Sequence, residues 1–131
     1  MPKSVNDAVL DAALNHVKTN TTKICICSSE PTTYALATND PSTSSGFRLA
    51  DKSITSTDFT GPANGDTNGR KVTVNVQNSI SVDATGTAGH VALVDVSSTA
   101  LLYVTTCSSQ ALTAANKVNM PAWDIEIADP T

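Results

Sequence analysis

The stretch Gly89–Cys107, GHVALVDVSSTALLYVTTC, decides the fold. Two apolar, β-branched runs flank the polar pair Ser97-Ser98, which is the pattern of a β-hairpin. Side chains alternate along a strand, so Val91 and Leu93 share one face while Ala92, Val94 and Val96 share the other. On the return strand the same count sets Leu101 and Tyr103 against Leu102 and Val104. A hairpin on a small protein ordinarily keeps one face wet. Here both faces are apolar, so both require cover.

Downstream, LTAANKVNM (112–120) and AWDIEIA (122–128) close the chain, with Trp123, Ile125 and Ile127 on one face against Asp124 and Glu126. The triplet Ala115-Asn116-Lys117 stands where a tight turn calls for Gly, and Asn116 is the residue expected to take positive φ. Upstream, KVTVNV (71–76) turns Val72, Val74 and Val76 inward, and SISVD (79–83) does the same with Ile80 and Val82. KICICSS (23–29) has small or branched apolar groups on both sides, as in a strand buried on both faces. FRLADKSIT (47–55) and DFT (58–60) read as short, partly exposed strands. Two polar excursions, Thr38–Gly46 and Gly61–Gly69, read as loops, and Pro31 is placed to begin a short helical turn.

The one long helix is predicted over residues 4–18, capped by Ser4, with Asp7 and Asp11 near its positive end. Val9, Leu10, Ala13, Leu14 and Val17 form its apolar stripe. One helix and seven to eight regularly spaced strands predict a mainly β protein, a β-sandwich or partly open barrel, forming a single domain over 1–131 with its β-rich body at 23–131. The expectation for the hairpin is that one face enters the sandwich core and the other lies under the helix or against a neighbouring subunit.

Of the 131 residues, 15% are charged and 4% aromatic, so solubility is carried mainly by Ser and Thr hydroxyls. Such a surface is cheaper to desolvate than Lys or Glu, which suits a protein packed in an assembly. A net charge of -4 leaves no basic stripe for phosphate, which argues against nucleic acid as a partner; the sole basic pair, Arg70-Lys71, reads as the opening of a strand. No run is long and apolar enough for a membrane span, and Asp7, Asp11 and Asn15 interrupt the N-terminal segment too often for a signal peptide. Synthesis in a cytoplasm and reduced Cys25, Cys27 and Cys107 are therefore expected.

Chemistry has few candidates. Cys25-x-Cys27 lacks the second ligand pair that structural zinc wants, and no catalytic signature surrounds His16 or His90. Asp124 and Glu126 stand at i, i+2 on one strand, where a carboxylate pair and an ordinary wet face look alike. The loop containing Gly65 and Gly69 has no P-loop ending, and Asp66 lacks the acidic company calcium needs. No catalytic residue, cofactor or metal is assigned.

VNDAVLDAALNHVK leading directly into a strand and a Pro-Thr-Thr-Tyr turn, then GRKVTV, GTAGHVALVD and LLYVTTCSSQALTAANKVNMPAWDIEIADP, resembles short structural proteins of tailed bacteriophages and prophages. The resemblance runs nearly end to end and is most distinctive in the C-terminal half. It implies a β-sandwich virion component, a capsid decoration or cement protein bound on the head to the major capsid protein and to copies of itself. A tail-tube, head-tail adaptor or fibre component is the alternative, and a small carbohydrate-binding module or hydrolase a more distant one. Contact candidates are Val9 and Leu14 on the helix, Asn64, Asp66 and Asn68 in the second loop, and Tyr103 on the hairpin.

Overall fold

The computed structural model describes residues 3–131. Helix α1 spans Asp7–Asn20. Its cap is Asn6 rather than Ser4: the Asn6 side-chain oxygen accepts from the Ala8 amide at 2.8 Å, and Asn serves this position as well as Ser. The helix also runs two residues past Lys18, ending where the Thr21 amide and hydroxyl both donate to the Val17 carbonyl. Only Leu10 and Leu14 are buried, with Val17 packed beside them. Val9 is 60% exposed, so the inward stripe is narrower than the sequence pattern.

Among the described residues nine strands follow: β1 Lys23–Cys27, β2 Arg48–Ser53, β3 Phe59–Asn64, β4 Arg70–Val74, β5 Gln77–Ser81, β6 Gly86–Asp95, β7 Ala100–Leu112, β8 Lys117–Met120 and β9 Trp123–Ile127. They form antiparallel sheets in the orders β2-β1-β6-β7, β3-β4-β9 and β5-β8, with no closed barrel. A short helix, α2 (Tyr34–Thr38), interrupts the path from β1 to β2, with the Thr33 hydroxyl accepting from the Leu36 amide at 3.2 Å. The main core takes a buried apolar residue from every strand, Leu93 and Ile24 among them, and adds Leu14 of α1. Each such burial contributes about 1.5–3 kcal/mol, which makes this the sandwich's principal source of stability.

The opening hairpin has apolar residues buried on both faces, and the second face lies under α2 rather than under α1. Val91 and Leu93 join the main core. Ala92 and Val94 join a second cluster with Cys25, Cys27 and Ala37, covered by Tyr34 and Phe47. The expected parity of the return strand also fails. Leu93 pairs with Tyr103 and Val94 with Leu101, so Leu102 is an extra, bulged residue. Leu101 and Val104 therefore share the second face, and Tyr103 alone turns to the main core.

Two further expectations change. Val76 is 53% exposed because β4 stops at Val74: the Asn75 amide donates to the Asp58 carbonyl, and buried Gln77 takes the inward place. Positive φ falls at Ala115 (73°), not Asn116, in a turn closed by the Asn116 amide donating to the Thr113 carbonyl at 3.1 Å. The second loop is shorter than predicted, since β3 continues to Asn64. Gly69 ends it at φ 71° against the Ile127 carbonyl, where no Cβ fits.

The two sides of the four-stranded sheet end differently. Beyond β2, Val82 bridges Ala50, and the Asp83 and Ala84 amides donate to the Leu49 carbonyl at 2.7 and 3.1 Å. This joins the β2 side to the two-stranded sheet. Beyond β7 no strand follows among the described residues.

Candidate functional site

The free side of β7 is the feature that most resembles a site. Chain order makes β7 and β8 neighbours, joined by the Thr113–Asn116 turn, yet among the described residues β7 pairs only with β6 and β8 only with β5. They stand as two lips of a cleft of about 250 Å³. Ile26, Ala88 and Val91 reach it from the main core, Leu112 and Met120 line its sides, and Cys107 lies on the β7 lip. A second hollow of about 330 Å³ continues past Cys107 and Pro121 to Trp123. There the Trp123 ring stacks on Tyr103, centroids 5.9 Å apart. Its indole N–H is buried without a protein partner.

The lip itself carries no charge. From Val96 to Asn116 the sequence contains no Asp, Glu, Lys, Arg or His. A second bulge sets Ala88 opposite Gln110 and His90 opposite Thr106, so Cys107, Ser108 and Ser109 have no counterpart on β6. Among the described residues, no backbone group of Thr105–Gln110 bonds to another backbone group beyond β6. An unpaired, uncharged strand edge beside an apolar cleft is suited to binding extended polypeptide.

The opposite side is dense with charge. Lys23 Nζ lies 2.9 Å from Asp51, and Arg48 reaches Asp51 at 3.1 Å and Asp40 and Asp83 at 3.8 Å each. The hydrogen bond from Lys23 to Asp51 raises the lysine pKa. Burial works to raise Asp51, but the bond from Lys23 and the charges of Arg48 and Lys23 outweigh it and hold the carboxyl below its ordinary range. Asp83 moves the other way, with burial prevailing over Arg48.

The remaining candidates are dispersed. His16 is exposed on α1 and its Nδ1 lies 3.4 Å from the Asn20 amide nitrogen. His90 stands between Cys27 and Thr106 in the ladder, its Nδ1 buried without a protein partner. Asp124 is engaged: it accepts from the Thr73 hydroxyl at 2.6 Å and from Lys71 at 3.2 Å, which lowers its pKa, while Glu126 is exposed on the same strand. Cys25 and Cys27 are buried under α2, and desolvation pushes both thiols up to about 12, which disfavours the thiolate needed for metal binding or attack. Among the described residues no group of three His, Cys, Asp or Glu is arranged to hold a metal, and no helix is long and apolar enough to cross a membrane.

The contact candidates separate in the same way. Leu14 is 1% exposed and belongs to the core, leaving Val9 as the open apolar residue of the pair. Asn64 accepts from Arg70 and Asp66 from Lys71, both on the exposed hairpin tip, and the Asn68 side chain accepts from the Asp129 amide. Arg70 also grips Asp11 through two nitrogens at 2.7 and 3.1 Å, fastening α1 to β4 at the strand opening expected for the basic pair. Tyr103 is half-buried against Trp123. Sequence reasoning missed the cleft altogether; its one advance signal was the charge-free run ending at Lys117. No family model matches the chain, and comparison with curated proteins and with solved structures gives no significant match.

Proposed function

We propose that this chain is a non-catalytic structural protein that docks on other protein subunits, and within that class a decoration protein on the head of a tailed phage. The observation that supports docking is the uncharged β7 lip with its apolar cleft, a surface that offers backbone hydrogen bonds and apolar area. The support for a phage head is the resemblance of the quoted segments alone.

Mechanically, such a protein adds buried area between lattice subunits, at about 800 Å² per partner for a standard contact, and repetition over the lattice multiplies the gain. The exposed tip Asp66–Asn68 is the second contact in this reading, because its side-chain bonds, to Lys71 and to the Asp129 amide, lie at the surface and outside the apolar core. The test is to add purified protein to phage heads that lack it, measure cosedimentation and locate it by electron microscopy. Saturable attachment at fixed head positions is expected, weakened when Asp66 and Asn68 are replaced by Ala in a protein that still folds. Failure to attach to heads, or density on the tail alone, contradicts the decoration role.

A further inference from the structure

We infer that the occupant of the β7 lip is a second copy of this chain, with two β7 strands running antiparallel across a two-fold axis near Cys107. The inference rests on reading the lip as a protein-docking surface and goes beyond it by naming the partner.

The first argument is charge. In an isologous contact each residue meets its own copy or a near neighbour, so any charge on the strand faces a like charge. The side of the sheet at β2 carries Arg48, Asp51 and Lys52. The whole of β7 carries none, and Asp124, which lines the neighbouring hollow, is paired with Lys71, so two copies of a chain with net charge -4 meet little local repulsion here.

The second argument is hydrogen bonding. The outer edge of β7 has no strand beside it, and the bulge leaves Cys107–Ser109 without counterparts on β6. Another β7 supplies the matching row of donors and acceptors, together with Thr, Ser and Gln side chains that bond to their own kind across strands.

The third argument is size. At about 3.3 Å per residue a strand of 13 residues runs about 40 Å. The facing sheet lies about 10 Å away in a sandwich, so lip and cleft together form a strip of about 400 Å², about half of what a standard interface takes from each partner and the scale of a small, reversible contact. Pairing also brings the partner's lip over the cleft, which covers apolar surface at Val91, Met120 and Pro121 on both copies.

The inference is tested on the whole protein by sedimentation equilibrium over a range of concentrations, together with cross-linking by a short bis-maleimide. Cys107 is exposed and the other two thiols are buried, so the reagent reports on this strand. The expected result is a reversible species of twice 13.5 kDa, cross-linked through Cys107, with the link abolished in Cys107→Ser. Thr106→Lys, which places like charges at the seam, is expected to return the protein to a monomer that still unfolds cooperatively, with a thermal midpoint that no longer depends on protein concentration. A wild-type protein that stays at 13.5 kDa throughout overturns the inference. A dimer that Cys107 does not cross-link and Thr106→Lys does not weaken overturns it too. Should Thr106→Lys fail to fold, the wild-type cross-link decides alone. A wild-type monomer that still decorates heads removes the pairing and leaves the docking role; a β7-paired dimer that never binds heads does the reverse.

Discussion

The two sides of the four-stranded sheet are built from opposite materials. Beyond β2, residues 82–84 hydrogen-bond to Leu49 and bridge Ala50, and Lys23, Asp51, Arg48, Asp40 and Asp83 form a chain of ion pairs nearby. Beyond β7 no strand follows among the described residues, the strand itself carries no charge, and the main core is reached through a cleft. Proteins commonly guard free strand edges with charges, Pro or bulges, because unpaired backbone invites other chains. Here the joined side has the charges, while the free one has bulges alone. The difference teaches that edge protection in this molecule is placed by position, and that the less protected position is where another polypeptide fits.

The largest expected effect comes from Trp123→Ala on the open side. The substitution removes the stack on Tyr103 and a wall of the cleft, and about 3 kcal/mol of stability should be lost in urea denaturation. A loss below about 1 kcal/mol would break the comparison, since the open lip would then lie outside the folded core's energetics.

On the closed side, Arg48→Met leaves Asp40, Asp51 and Asp83 sharing a region without their common cation. These side chains are partly solvated, so a cost of about 1–2 kcal/mol is expected at neutral pH. Asp51 has a lowered pKa in the fold, so its contribution is present above the ordinary carboxylate range and disappears as pH falls through the folded value. Arg48→Met should therefore flatten the decline in stability below about pH 4. Asp83, whose pKa is raised, opposes that trend and keeps the change small.

Between the two sides, under α2, lie Cys25 and Cys27. Their folded pKa values are raised from 9.0 to about 12, so the stabilising effect is complete below pH 9 and is lost as pH climbs toward 12. A decline of about 1 kcal/mol per thiol for each pH unit above 9 is expected. Replacing both residues with Ala should make the alkaline decline shallower by that amount; a decline as steep as in the wild type would show that α2 does not seal this face.

The smallest effect is a gain. Ala115 holds φ 73° in the turn joining the two lips, a conformation that Gly adopts without strain. Ala115→Gly is expected to stabilise by about 1 kcal/mol, read from the shift of the urea midpoint.

Much of the fold was legible from hydrophobic period alone. The inward faces of Val72 and Val74, of Ile80 and Val82, and of Trp123, Ile125 and Ile127 all agree with alternation, because a half-buried strand enforces it. Reading stopped where regularity stopped. The bulge at Leu102 reverses the parity of the hairpin's return strand, and the break after Val74 exchanges Val76 for Gln77; neither departure has a residue type that announces it. The role of α2 was hidden for a different reason. Covering the second face takes only Tyr34, Ala37 and Phe47, too few apolar residues to stand out in a polar segment. The open lip was half visible: the charge-free run was on the page, but that β7 and β8 are consecutive and unpaired is a matter of topology.

Hydrogen exchange followed at low and high protein concentration addresses the contrast between the two sides most directly. At low concentration the amides of Arg48–Ser53 should be protected and those of Cys107–Ser109 should exchange quickly; at high concentration, protection should rise at Cys107–Ser109 while the β2 side stays unchanged. Equal protection of both at every concentration, or a rise confined to some other surface, would contradict the account.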